Sequence, residues 1–193
     1  GDILEAAFGQ IMDGNASPVQ IAALLIALRT KGESVNEIVA AARAMRARAE
    51  RAIAPSPNTV DTCGTGGDGA ETFNISTTAA FVVAGAGIPE AKHGNRAFTS
   101  KSGAADVLSA LGIGLEVPIE KLEQALIEAK VCFLMAPRHH SAMRNVAGPR
   151  VELAPSRTIF NLLGPMSNPA LVKRQLVGVF DRRWLKPVAQ ALG

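Results

Sequence analysis

The residues best equipped for chemistry lie in one stretch, Asp61 to Asn95, and gather at its two polar ends. The first end reads Asp61-Thr62-Cys63-Gly64-Thr65-Gly66-Gly67-Asp68-Gly69 and is followed by Thr72, Asn74, Ser76 and Thr77. The second reads Lys92-His93-Gly94-Asn95-Arg96. Glycines lack a Cβ, so the backbone can take positive φ and approach a ligand closely. Successive N–H groups then form an anion-binding concavity, to which a following helix N-terminus adds partial positive charge. Asn74, Ser76 and Thr77 stand where that helix should open, and short polar side chains favour such starts. Lys92 and Arg96 bring full positive charge from the second loop. Asp68 would repel a phosphate but suits sugar hydroxyls or magnesium, a cation that takes oxygen ligands and bridges to phosphates. The mixture fits a phosphorylated sugar with a metal ion better than a bare phosphate.

Neighbouring motifs fit less well. Gly64, Gly66 and Gly69 satisfy G-x-G-x-x-G, and Glu90 lies where a dinucleotide fold places its acidic residue. That fingerprint needs the helix to open inside the glycine run, whereas Ala70 to Asn74 intervene here. No Gly-Lys-Ser/Thr follows the glycines, which excludes a P-loop. A structural turn without ligand explains neither the hydroxyl run nor the second polar loop.

The elements that must position these loops follow from periodicity. Residues 3–13 carry Leu4, Ala7, Phe8 and Ile11 on one helical face, closed by Gly14. Ser17-Pro18 gives an N-cap and first-turn proline for a helix with Ile21, Leu24, Leu25 and Leu28 inward. Ser34 to Glu37 reads as a capping box for a third helix. From Thr59 the period changes. Val60–Cys63, Ile88–Lys92, Val131–Met135 and Arg174–Phe180 read as strands. They alternate with helices over Thr77–Ala86, from Ser102 or Gly103 to Gly112, from Pro118, and over Arg183–Leu192. Residues 139–164 are helical in pattern, with breaks expected at Gly148-Pro149 and Ala154-Pro155. Strands alternating with helices imply a mostly parallel sheet covered on both faces, with ligands beyond the carboxyl ends of its strands. Both polar loops fall there. His139 and His140 are adjacent and would diverge on a helix, so positions on the surface or behind the ligand-contacting residues are expected rather than a shared metal site. An Arg150 fork matches a planar carboxylate, and the expected break before it could turn it toward a cleft, although a plain surface arginine is the stronger reading from the sequence alone.

The chain has 193 residues, 48% of them hydrophobic, and a net charge of +3. That supports one globular core or a domain with an appendage, and partners that are anionic small molecules rather than nucleic acid. Two cysteines, Cys63 and Cys132, match no metal spacing and read as reduced, packed residues of a cytoplasmic protein. No apolar run is long enough to span a membrane.

Taken together, the motifs resemble those of the anthranilate phosphoribosyltransferase family. The words that carry the likeness are Asp61-Thr62-Cys63-Gly64-Thr65-Gly66-Gly67-Asp68, Phe73-Asn74-Ile75-Ser76-Thr77, Lys92-His93-Gly94-Asn95-Arg96, Ser102-Gly103-Ala104-Ala105-Asp106-Val107-Leu108, and Thr158-Ile159-Phe160-Asn161-Leu162-Leu163-Gly164-Pro165 with Asn168-Pro169. The resemblance implies a small helical domain beside an α/β domain, as in pyrimidine nucleoside phosphorylases, and a homodimer through the helical part. The boundaries it suggests are 1–53 helical, 58–140 α/β, 141–167 returning to the helical domain, and 168–193 continuing the α/β domain. The implied reaction joins the amine of anthranilate to C1 of 5-phosphoribosyl-1-pyrophosphate (PRPP) and releases pyrophosphate, with Mg2+. Carried over position by position, Gly64, Gly67, Asp68, Thr72, Asn74, Ile75, Ser76, Thr77, Lys92, His93, Gly94, Asn95, Ser100 and Ala104 would hold PRPP, and Ser76 a magnesium ion. Gly64, His93, Asn95 and Arg150 would meet anthranilate; no catalytic acid or base is assigned. The family also has a later Asp-Glu pair for magnesium, which nothing after Asn168 supplies. The expectation is therefore an N-terminal portion, inactive alone. Its alternatives are a nucleoside phosphorylase, whose second loop differs, and a nucleic-acid-binding relative without transferase activity.

Overall fold

A computed structural model describes residues 2–52, 56–66, 73–96 and 103–193. The chain divides into two compact units, one of residues 1–49, 140–167 and 181–193, the other of 50–139 and 168–180.

In the first unit, local signals set the helix starts. Helix α1 runs Asp2–Met12, α2 Pro18–Lys31 and α3 Val35–Ala47. Ser17 caps α2 in a reciprocal box with Gln20, and Ser34 caps α3 in one with Glu37. Ile21, Leu25 and Leu28 of α2 and Ile38, Ala41 and Met45 of α3 recur at helical spacing and are buried. Phe8 of α1 meets the Phe160 ring edge to face at 6.1 Å. Arg48 forks onto Asp13 through two 2.6 Å bonds.

Among the described residues the second unit is built on a four-stranded, wholly parallel sheet of order β3-β2-β1-β4. In chain order its elements are β1 Val60–Gly64, α4 Ile75–Gly85, β2 Glu90–Gly94, α5 Ala104–Ala110, α6 Ile119–Glu128, β3 Val131–Met135 and α7 Ala136–His139. The chain then passes through α8 Arg144–Glu152 and α9 Phe160–Leu163 of the first unit before β4 Arg174–Gly178 closes the sheet. Alternation along β3 shows why both faces are covered. Cys132 and Leu134 pack with Leu122 and Leu126 of α6, whereas Phe133 and Met135 pack with Ala105 and Leu108 of α5.

The final helix, α10 Leu185–Leu192, packs along α3 in the first compact unit and buries Val188, with Trp184 buried just before it. Several local expectations need correction. No break occurs at Gly148-Pro149, because Pro149 lies inside α8 and its carbonyl accepts from Leu153 N at 3.0 Å. A proline ring removes one backbone donor and strains the preceding turn, but a short helix can run on past it. His139 and His140 are buried, which removes the surface alternative of the two expected for them. His139 donates from Nδ1 to the Glu50 carbonyl at 2.7 Å, while Glu50 N donates to the His139 carbonyl at 2.8 Å. Strand β2 starts at Glu90 rather than Ile88 because Pro89 has no N–H to give the ladder.

Candidate functional site

The two glycine-rich loops leave the carboxyl ends of adjacent strands. Gly64 ends β1, and Thr65 is tied to the end of β4: its N–H donates to the Gly178 carbonyl at 3.0 Å and its hydroxyl accepts from Phe180 N at 2.9 Å. Gly66 sits at φ +65°, a left-handed conformation that favours glycine. Past the strand end on β2, the Asn95 carbonyl accepts from Ala105 N at 3.2 Å and so ties the second loop to α5. Gly94 is needed for space: a Cβ there would stand 2.8 Å from the Phe133 ring and 3.3 Å from Ala104 Cβ.

The start of α4 lies against β1, where the Thr62 hydroxyl stands 2.9 Å from the Ser76 carbonyl oxygen. Asn74 occupies the N-cap position yet makes no capping hydrogen bond, since its Oδ1 accepts from the Thr77 hydroxyl at 2.8 Å. Side-chain capping by Asn74 is thus not what opens this helix, which begins at Ile75, two residues before the expected Thr77. Ser76 is half-buried, Ile75 exposed and Thr77 buried. Free N–H groups and the helix dipole at such an end favour an anion.

Lys92 falls in the strand expected over Ile88–Lys92, but its charge turns inward rather than serving the second loop. It lies on β2, buried, with its ammonium donating to the Thr62 carbonyl. Burial pushes its pKa down, while the neighbouring Asp61, Cys63 and Glu90 oppose that shift. Glu90 is fully buried and its Oε1 accepts from Thr62 N at 2.7 Å and Thr62 Oγ1 at 2.8 Å. Burial raises its pKa. A carboxyl group held there cannot meet a ribose, which removes the dinucleotide reading. His93 is buried and donates its N–H to Asp61 Oδ1 at 3.2 Å. Asn95 and Arg96 are exposed, with the Arg96 guanidinium 3.4 Å from Asp106. Burial pushes both thiols up, Cys132 to about 12, so neither is a nucleophile at neutral pH.

The structure therefore brings Gly64, Asn74, Ile75, Ser76, Thr77, Lys92, His93, Gly94, Asn95 and Ala104 into the second unit, at or beside the carboxyl ends of β1 and β2. Gly67, Asp68, Thr72 and Ser100 lie outside the described residues. Arg150 belongs to α8 of the first unit, half-buried, with its guanidinium 5.6 Å from the Phe160 ring centroid. Sequence reasoning gave no role to Asn168 or Gln175. Asn168 donates to the Ala91 carbonyl at 2.8 Å, and Gln175 donates to Asp61 Oδ2 at 3.0 Å. Among the described residues no group of three or more His, Cys, Asp or Glu could hold a metal ion, and no helix is long and apolar enough to cross a membrane.

Comparison with known proteins places this geometry. Residues 56–193 match the model of the glycosyl transferase family a/b domain, and residues 2–49 that of the glycosyl transferase family helical bundle domain. An anthranilate phosphoribosyltransferase of Paramagnetospirillum magneticum is 60% identical over 98% of this chain and 54% of its own length. One of Azospirillum brasilense is 59% identical over 96% of this chain and 51% of its own length. The chain thus spans about half the length of the curated relatives it matches. Among solved structures, anthranilate phosphoribosyltransferase of Thermus thermophilus superposes with a TM-score of 0.94 at 47% identity, covering 98% of this chain and 57% of that one. The Saccharomyces cerevisiae enzyme in complex with PRPP and Mg superposes at 0.88 and 31% identity, over 97% of this chain and 56% of that one.

Proposed function

This chain belongs to the glycosyl transferase family with helical bundle and a/b domains, and from that premise we propose that it supplies the donor site of an anthranilate phosphoribosyltransferase. The observation that carries the reading is the pairing of two glycine-rich loops at neighbouring strand ends with a close likeness to the PRPP- and Mg-bound yeast enzyme. In the proposed reaction the bond from C1 of PRPP to pyrophosphate breaks as the bond from the anthranilate amine to C1 forms, and the amine gives up a proton. The products are N-(5-phosphoribosyl)anthranilate and pyrophosphate.

Positive charge grows on the ribose as pyrophosphate departs, so positioning and electrostatics supply most of the rate. The N–H groups of the loop after Gly64 and of the α4 start, with Ser76, Thr77 and Asn95, would hold the phosphates and ribose. Gly67, Asp68, Thr72 and Ser100 are assigned to the same ligand from sequence. Gly64, His93 and Asn95 are assigned to anthranilate, and Arg150, presented over the Phe160 ring, to its carboxylate. Lys92 acts from beneath, through the Thr62 peptide. Magnesium suits this donor set in part. Ser76 offers one neutral oxygen, and Mg2+ is commonly held by one or two protein groups with substrate phosphates and water. Bound there, the ion would neutralise charge on the departing pyrophosphate. A homodimer and a cytoplasmic setting belong to the same reading; two free, buried cysteines accord with a reducing compartment.

The test is loss of anthranilate fluorescence with PRPP and Mg2+. It should be run on this chain and on this chain completed with the parts of the Paramagnetospirillum magneticum relative outside the match. Turnover by the completed protein, lost on Ser76→Ala or on chelation of Mg2+, supports the reading. A folded completed protein without turnover contradicts it.

A further inference from the structure

Parallel strands normally exchange evenly spaced, slanted backbone bonds along their whole length. Strands β1 and β4 share five registered pairs, as do β2 and β3, but β1 and β2 share one, Val60 with Glu90. Val60 N donates to the Pro89 carbonyl at 2.9 Å, which opens the ladder normally. The next rung should join Thr62 N–H to the Ala91 carbonyl and His93 N–H to the Thr62 carbonyl. All four groups are taken by side chains instead. Thr62 N donates to Glu90 Oε1 at 2.7 Å, and the Ala91 carbonyl accepts from Asn168 Nδ2 at 2.8 Å. The Thr62 carbonyl accepts from Lys92 Nζ, and His93 N donates to Asp61 Oδ1 at 3.2 Å.

Four polar side chains thus replace one rung, each nine-tenths or more buried. They are braced in turn: Gln175 of β4 donates to Asp61 Oδ2 at 3.0 Å, and Asn168 Oδ1 accepts from Ala170 N at 2.8 Å. A direct ladder would satisfy the same backbone groups without burying two carboxyls and an ammonium, and buried charge is costly even when paired. Glu90 Oε2, also buried, has no hydrogen-bond partner among the described residues. Stability alone does not explain such an arrangement. Its consequence is geometric, because the two glycine-rich loops leave the same two strands just past the substituted rung.

We propose that Asp61 and Asn168 are positioning residues for the phosphoribosyl donor. With Glu90 and Lys92 they hold β1 and β2 one rung apart, and so set the gap between the loops that grip the phosphates. The proposal rests on the functional reading above. Asp61 and Asn168 act through His93 N and the Ala91 carbonyl and touch no ligand themselves.

The experiment measures Mg-PRPP affinity by calorimetry, and KM against kcat, on the completed protein bearing Asp61→Ala, Asp61→Asn or Asn168→Ala. Asp61→Asn keeps an acceptor for His93 N, and Gln175 can rotate its amide to match. The expected result is at least a tenfold rise in Kd and KM for PRPP in Asp61→Ala and Asn168→Ala, with kcat for bound donor changed less. Asp61→Asn should stay within about threefold of the unsubstituted protein. The two alanine variants strike the two different hydrogen-bond positions of one rung, so if one fails to fold the other decides. Affinity unchanged in a folded alanine variant overturns the positioning role while leaving the function intact. An unsubstituted protein that binds no Mg-PRPP overturns the functional reading, and the proposal with it, before any variant is compared.

Discussion

Gly94→Ala should destabilise the second unit by about 2 kcal/mol, within the range of roughly 1–3 kcal/mol for overpacking a dense core. The added Cβ would stand 2.8 Å from Phe133 Cε2, 3.0 Å from Cζ and 3.3 Å from Ala104 Cβ. Carbon atoms pack best about 3.5–4.0 Å apart, so the ring must retreat by roughly 1 Å. It has little room, since Phe133 is buried among Ala105, Leu108, Leu115 and Met135. A cost of about 2 kcal/mol lowers the folding constant some 30-fold, which urea unfolding followed by circular dichroism resolves easily. Phe133→Leu removes the two clashing ring atoms. In that background the same glycine substitution should cost at least about 1 kcal/mol less, as coupling between touching residues requires. A Gly94→Ala variant with the original midpoint would refute this reasoning. So would an equal loss in both backgrounds, which would place the strain in the backbone rather than against the ring.

Four further outcomes are expected. Arg150→Ala should impair anthranilate use more than PRPP binding, because it removes only the carboxylate partner; steady-state kinetics with each substrate varied separates the two, and equal losses would count against the assignment. Glu90→Gln should remove a pH dependence: burial raises the Glu90 pKa above its ordinary 4.5, so the folded state holds the proton longer than the unfolded chain. The contribution from this group is full below pH 4.5 and is lost as pH rises through the folded value, and urea midpoints across that range should show the decline in the original protein but not in the variant. Asp13 shifts the other way, its pKa lowered chiefly by the Arg48 hydrogen bond, so its stabilising effect holds above its ordinary 3.8 and fades as pH falls; Asp13→Asn should flatten acid unfolding at that end. Ser17→Ala removes the α2 cap and should cost about 1 kcal/mol in the same urea assay.

What could be read in advance divides along physical lines. The caps at Ser17 and Ser34 were legible because capping is local: a hydroxyl and an N–H three residues away suffice. Strand β3 was legible to the residue, since five apolar residues between turn signals have few other fates. Alternation of strand and helix was enough to send both polar loops to the carboxyl edge of a parallel sheet. Features fixed by tertiary partners were not legible. His139 carries no local sign of burial until Glu50 is seen exchanging two hydrogen bonds with it. Lys92 reads as a strand-end cation serving the second loop until the missing rung supplies the Thr62 carbonyl it occupies. The substituted rung itself depends on which strands are neighbours and in what register, and no local pattern around Asp61, Glu90 or Asn168 encodes that. Likewise the apolar stripe of α10 does not specify that its partner is α3.

The most direct test of the central claim is the stoichiometry of the proposed transfer. Phosphorus NMR on the completed protein would follow PRPP and pyrophosphate while fluorescence follows anthranilate, at fixed Mg2+. One pyrophosphate should be released for each anthranilate consumed, with no PRPP loss above the uncatalysed rate when anthranilate is absent. Pyrophosphate released without anthranilate, or neither ligand changing in a folded protein, would contradict the transfer.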